Sequence, residues 1–130
     1  MSQGISDVVQ ARGPEDDRPG VSVEQVQQKF QYPGTPTTCD GAEAVVHVET
    51  NICQGSGAYP ITSSTTMGGG FNAAVMNGKK NLWGDELIFI EPESEHSAAT
   101  ICEGFAVAGG RVTNFTSVQG LVLMKEVLYT

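Results

Sequence analysis

LIFIEPESEHSAATICEGFAVAGG, residues 87–110, joins a strand pattern directly to a helix pattern. Its first four residues are apolar and include two isoleucines, which predicts a strand covered on both faces, as in a parallel sheet. The later residues place small and apolar side chains at helical spacing before a glycine pair. The helix face so formed comprises Ala98, Cys102, Phe105 and Ala106. Three carboxylates in five residues, EPESE, stand between the predicted strand and the predicted helix.

The same alternation of helix and strand patterns extends on both sides of this stretch. Toward the amino terminus lie a helix pattern within residues 40–57, a short predicted strand over 58–62 (AYPIT) and a glycine-loosened helix within 63–80. Toward the carboxyl terminus lie a predicted strand over 111–116 and a last helix over 118–130. The order α-β-α-β-α-β-α predicts an α/β fold, a mostly parallel sheet with helices on both faces.

The two ends of the chain differ from this regular middle. Residues 1–37 are polar and interrupted by four prolines, which predicts an amino-terminal extension. The last helix pattern stops at Thr130 without a glycine, proline or basic cap. Because a sheet of three strands would also leave an edge uncovered, we expect residues 38–130 to be the first part of a truncated α/β domain.

Composition argues against several classes of function. The net charge is −8 with only seven Lys and Arg residues, so no concentrated basic face is available for nucleic acid or an anionic membrane. No apolar run approaches membrane-spanning length, and no secretory signal begins the sequence. Three widely spaced cysteines without a C-x-x-C pair indicate reduced thiols in a cytoplasmic protein rather than disulfides or a metal site. His47 and His96 lack partners at ligand spacing, so we expect both to face solvent or to be capped.

Polar residues follow each predicted strand, at the edge where parallel sheets bind ligands. YPITSSTT carries up to five hydroxyls, from Thr62 to Thr66, which suit an anion at a helix amino terminus. Ordinary capping of the helix by Ser or Thr explains the same residues and is the favoured interpretation. The glycines of MGGGF match neither a P-loop nor a complete G-x-G-x-x-G motif.

The acidic stretch EPESE has two explanations. Carboxylates at a helix amino terminus are stabilised by the macrodipole by roughly 0.3–1 kcal/mol each, which accounts for Glu91 and Glu93. Glu95 already lies among the small residues of the predicted helix, where burial would favour its protonated form and suit it to act as a general acid or base. A relay of Glu95, His96 and Ser97 is excluded, because adjacent residues on a helix point in different directions.

Three stretches of the chain resemble a known family: DGAEAVVHVETNICQGSGAYPITSSTTMG, GKKNLWGDELIFIEPESEHSAA and FTSVQGLVLMKEVLY. Together they are similar to the amino-terminal, pyrimidine-binding domain of pyruvate:ferredoxin (flavodoxin) oxidoreductases, over residues 38–130. The resemblance implies a thiamine-diphosphate-binding fold, incomplete in this chain, and oxidative decarboxylation of pyruvate to acetyl-CoA and CO₂. It implies thiamine diphosphate, Mg²⁺ and [4Fe-4S] clusters in the complete enzyme. Implied partners are the remaining domains or subunits, ferredoxin or flavodoxin, pyruvate and coenzyme A, within a homo-oligomer.

The resemblance also implies roles for particular residues. Glu95, by its place in E-x-x-S-E, matches the catalytic glutamate that hydrogen-bonds the aminopyrimidine ring of the cofactor. Thr62, the threonine of YPIT, matches the residue that meets the substrate carboxylate, and Tyr59 and Pro60 are assigned to cofactor binding. The chain departs from the family's usual pattern at Ser63, where proline is common.

The other half of such a site has no counterpart in this sequence. A further departure is Gly69, where the family commonly has glutamate. The residues expected to bind the diphosphate, Mg²⁺ and the clusters, and an arginine for the substrate, do not occur among the 130 residues. A non-catalytic fragment or an assembly module that keeps the fold is therefore the alternative to part of an active oxidoreductase.

Overall fold

The computed structural model describes residues 34–129, and from Thr38 onward they form one compact unit. The predicted extension over 1–37 lies outside the described residues except for its last four, and it stays a prediction. The helices are α1 Gly41–Ile52, α2 Thr65–Met76, α3 Glu95–Val107 and α4 Val118–Leu123, followed by a 3₁₀ turn, Val127–Tyr129. The strands are β1 Gly55–Gly57, β2 Ile88–Ile90 and β3 Val112–Thr113. The predicted α/β order and the parallel sheet are confirmed.

The three strands pair in the order β2-β1-β3, and both pairs are parallel. The central strand is Gly-Ser-Gly, because α3 lies directly on it: a Cβ atom at Gly57 would be 3.1 Å from the carbonyl oxygen of Ala98. The prediction of a strand over 58–62 is therefore wrong by a few residues. AYPIT is the loop that follows β1, and the close approach of a helix outweighs the low strand propensity of glycine.

The prediction that residues 87–90 form a strand is confirmed, but the prediction that both its faces are covered is wrong. Ile88 and Ile90 are 48% and 39% exposed, because β2 is an edge strand and α3 packs on β1 and β3. Only the opposite face of β2 is covered by α2. There, the ring of Phe89 lies 6.3 Å from that of Phe71, which is completely buried.

The first two helices form as their sequences predict. Asp40 caps α1 in a capping box: its carboxylate accepts from the Glu43 amide at 2.7 Å, and the Glu43 carboxylate accepts from the Asp40 amide at 3.0 Å. Gly70 lets α1 and α2 approach closely, since a Cβ atom there would lie 2.9 Å from the Val46 side chain. The main hydrophobic core consists of Cys53, Ala58, Phe71, Leu87 and Phe115.

The last two helices are less regular than predicted. In α3, Ala98 is buried and Cys102 and Phe105 are half-buried as predicted, but Ala106, in the last turn one residue before the helix ends at Val107, is exposed. The predicted helix over 118–130 ends at Leu123, and a turn and the 3₁₀ turn follow it. Met124 is buried with Ala98 and Ala99 in a second cluster. Within residues 34–129, no helix has the length and apolar character needed to cross a membrane.

Candidate functional site at the carboxyl edge of the sheet

The loops after the three strands meet at one edge of the sheet, because all strands run in the same direction. The Ala58 amide extends the pairing by donating to the Ile90 carbonyl at 3.1 Å. The YPIT loop, the EPESE stretch and the residues after β3 are thereby neighbours, as the sequence predicts.

A pocket of about 100 Å³ opens between the YPIT loop and the start of α2. Its walls are Ala58, Tyr59, Pro60, Ser64, Thr65, Gly68, Gly69, Asn72, Phe89, Glu91 and Phe115. The pocket thus brings Tyr59 and Pro60 together with Glu91. Neither Glu95 nor Thr62 is part of its wall.

Glu95 is the buried acid of the EPESE stretch. It is the first residue of α3, directly after the N-cap Ser94, whose hydroxyl accepts from the Ser97 amide at 3.2 Å. The residue is 8% exposed, and no other residue in the range 34–129 donates a hydrogen bond to its carboxylate. The Glu95 carboxylate therefore retains hydrogen-bonding capacity for a ligand.

The other two acids of the stretch are exposed. The Ser97 hydroxyl donates to the Glu93 carboxylate at 2.6 Å, and this hydrogen bond lowers the pKa of Glu93. Glu91 follows β2 and lies on the pocket wall. These positions agree with the interpretation of Glu91 and Glu93 as strand-end and helix-start residues.

Thr62 lies in the loop between β1 and α2 with its side chain in solvent. The next residue, Ser63, has a φ of 80°, in the left-handed region that non-glycine residues rarely adopt. A proline ring fixes φ near −65°, so the residue that is common in the family could not adopt the conformation of Ser63.

The hydroxyls that follow Thr62 do not cap α2 as predicted. Ser64 occupies the N-cap position, but its side chain makes no capping hydrogen bond. It donates instead to the Ile61 carbonyl at 3.1 Å, and the Thr65 hydroxyl donates to the same carbonyl at 2.9 Å. Ser64 already has a helical φ and ψ, unlike the extended conformation typical of an N-cap residue. Both hydroxyls instead hold the loop against the start of the helix.

Two functional candidates were missed by sequence reasoning. The hydroxyl of Thr116, in the loop after β3, is buried and has no hydrogen-bond partner among the described residues. Gly120, in α4, lies so close that a Cβ atom there would overlap this hydroxyl and come within 2.9 Å of Glu95 Cγ. The only sequence signal is a glycine inside the helix pattern of FTSVQGLVLM.

Neither histidine and none of the three cysteines lines the pocket. His96 lies 3.6 Å from the exposed Glu126 carboxylate and Ser97 bonds Glu93, so the excluded relay does not form. His47 is exposed, as predicted, and no group of His, Cys, Asp and Glu in the described range could hold a metal ion. The three cysteines are free, and burial raises the pKa of the Cys53 thiol to about 12.

A parallel α/β sheet whose carboxyl edge carries a pocket and a buried acid defines a ligand-binding domain of the open-sheet type. Residues 44–130 match the family model described as "Pyruvate flavodoxin/ferredoxin oxidoreductase, thiamine diP-bdg". The chain belongs to this family of pyruvate flavodoxin/ferredoxin oxidoreductases. The resemblance found in the sequence is thereby confirmed.

Several curated relatives match the same part of the chain. A probable pyruvate-flavodoxin oxidoreductase of Escherichia coli (strain K12) is 41% identical over 92 residues, which are 71% of this chain. The pyruvate-flavodoxin oxidoreductase of Nostoc sp. is 39% identical over 95 residues, or 73% of the chain. The pyruvate:ferredoxin oxidoreductase of Moorella thermoacetica is 37% identical over 92 residues, or 71%. In each case the matched part is 8% of the relative's own length.

Proposed function

We propose that this chain forms the aminopyrimidine side of a thiamine diphosphate site in a pyruvate:ferredoxin or pyruvate:flavodoxin oxidoreductase. The observation that carries the proposal is the burial of Glu95 at the carboxyl edge of the sheet, in a chain whose family model is described as thiamine-diphosphate-binding. Because the chain corresponds to 8% of the relatives' length, the complete activity requires other segments. Those segments would hold Mg²⁺, the [4Fe-4S] clusters, coenzyme A and the electron carrier.

The residues of this chain fit one half of such a site. The Glu95 carboxyl has no hydrogen-bond donor within residues 34–129, so its oxygens are available for a hydrogen bond with a ring nitrogen. Tyr59 and Pro60 border the adjacent pocket and would lie beside the ring. Thiamine diphosphate, when bound, would supply the carbon nucleophile that decarboxylation of a 2-oxoacid requires.

Thr62 would bind the substrate rather than the cofactor. Its side chain is exposed beyond the pocket, where the half of the site contributed by other segments would close over it. A hydroxyl in that place can donate to the carboxylate of pyruvate, and a bond to a charged acceptor is about twice as strong as a neutral one.

The test is substitution of each acid of EPESE in the complete enzyme. Glu95→Gln should retain bound thiamine diphosphate but slow hydrogen–deuterium exchange at its C2 carbon strongly, because an amide cannot transfer the proton. Glu91→Gln and Glu93→Gln are matched controls from the same stretch, and both should exchange at the wild-type rate. Wild-type exchange in Glu95→Gln, or slowing only in Glu91→Gln, would contradict the assignment of the acid. A wild-type protein that binds no cofactor would instead identify the chain as a non-catalytic module that keeps the fold.

A further inference from the structure

We propose that Thr116 and Gly120 are positioning residues for Glu95: Gly120 sets the distance between α4 and α3, and the Thr116 hydroxyl donates to the Glu95 carboxylate. The proposal rests on the proposed function of Glu95. It assigns a role to FTSVQGLVLM, whose residues take no part in the pocket apart from Phe115.

The first step concerns Gly120. Its Cα lies against both the Thr116 side chain and the Glu95 stem, since an added Cβ would overlap the hydroxyl and lie 2.9 Å from Glu95 Cγ. Gly104 in α3 and Gly69 in α2 are not so constrained, since a Cβ at either would meet nothing within 4 Å. A Cβ at Gly70 would meet the Val46 side chain, which lies away from Glu95 on α1. Gly120 is therefore placed where only a residue without a side chain permits this contact.

The second step concerns the Thr116 hydroxyl. Its oxygen is buried and has no partner within residues 34–129, a situation that costs free energy unless an acceptor is reached. Glu95 borders the same point above Gly120. Its carboxylate likewise accepts no hydrogen bond from the described residues. A donor without an acceptor thus lies next to an acceptor without a donor. The proposed hydrogen bond joins these two groups, whose residues both border the same point at Gly120.

The consequence is control over the charge of Glu95. A hydroxyl that donates to a carboxylate stabilises its ionised form, so Thr116 would set the pH at which Glu95 takes up a proton. Four elements pack on α3, namely β1, β3, α4 and the 3₁₀ turn, and the one titratable side chain among them is Tyr129 of the turn. The other titratable groups nearby are Glu91, Glu93, His96, Cys102 and Glu103 near or on α3, Tyr59 after β1, and Lys125 and Glu126 after α4.

The experiment is a pH titration of the 130-residue chain labelled with ¹³C at glutamate carboxyls, with the Glu95 signal assigned by its loss in Glu95→Gln. Thr116→Val removes the donor and keeps the shape, so the titration midpoint of Glu95 should rise by about one pH unit. Thr116→Ser retains the hydroxyl and should keep the wild-type midpoint. Ser56→Ala is the matched control, because Ser56 carries the other buried hydroxyl without a partner.

A midpoint that stays unchanged in Thr116→Val would overturn the proposal, and so would equal shifts in Thr116→Val and Thr116→Ser or in Ser56→Ala. If Thr116→Val does not fold, Gly120→Ala tests the proposal in its place. Gly120→Ala should raise the titration midpoint of Glu95, whereas Gly104→Ala should leave it unchanged. A wild-type midpoint in Gly120→Ala would then refute the positioning role. The titration tests the positioning role of Thr116 and needs no cofactor. The exchange at C2 in Glu95→Gln tests the proposed function of Glu95 with cofactor bound, so the two proposals can fail independently.

Discussion

Replacement of Ser63 by glycine should stabilise the chain. Ser63 has a φ of 80°, and a left-handed conformation costs a residue with a Cβ roughly 1–2 kcal/mol. Glycine adopts that conformation without the steric cost, but its greater freedom in the unfolded chain costs about 0.4–1 kcal/mol. The difference between these two terms is a net gain of about 0–1.6 kcal/mol, with a midpoint of about 0.8 kcal/mol, in the free energy of unfolding.

Equilibrium unfolding in urea, followed by far-ultraviolet circular dichroism, measures this difference. Ser63→Ala is the control, because it keeps the Cβ atom and removes a hydroxyl that lies in solvent, so its stability should stay near that of the wild type. Ser63→Pro should be less stable than either, since a φ near −65° forces the loop to rearrange. If Ser63→Gly is no more stable than Ser63→Ala, the left-handed conformation of this loop is refuted.

Two further predictions concern the site and the thiols. Thr62→Val keeps the shape of the side chain and removes a charge-assisted hydrogen bond of roughly 1.5–3 kcal/mol, so kcat/KM for pyruvate in the complete enzyme should fall by about 10- to 150-fold; a loss of stability with unchanged pyruvate kinetics would contradict the carboxylate contact. Burial raises the pKa of the Cys53 thiol from 9.0 to about 12, so the folded state binds this proton more tightly than the unfolded state does and loses stability as the pH rises from about 9 to 12. Urea unfolding at several pH values should show this loss in the wild type and a smaller one in Cys53→Ala, and an identical pH dependence would contradict it.

Local signals in the sequence predict the helices well and the central strand poorly. The Asp40–Glu43 capping box and the spacing of apolar residues depend only on neighbours along the chain, so they locate α1 without knowledge of the fold. The strand β1 is Gly-Ser-Gly, and its place becomes evident only once α3 lies on it. The exposure of Ile88 and Ile90 likewise depends on strand order, which periodicity does not contain.

The candidate site likewise contains residues that the sequence predicted and residues that it did not. Glu95 was predicted because its position among small residues distinguishes it from Glu91 and Glu93 within one short stretch. Thr116 and Gly120 reach Glu95 only through the packing of α3 and α4, across more than twenty positions of the chain. No pattern within a single element could have predicted that contact.

Tyr59 resolves an apparent conflict between the pocket and the buried acid. The pocket wall includes Glu91 but not Glu95, which taken alone would favour Glu91 as the acid. Tyr59, however, borders the pocket and also packs on the cluster of Ala98, Ala99 and Met124, one turn from Glu95 along α3. Tyr59 therefore connects the pocket to the part of α3 that directly follows Glu95. The proposed role of Glu95 therefore requires a ring beside Tyr59 to reach it from the side that other segments would cover. Glu91 differs from Glu95 in being exposed to water.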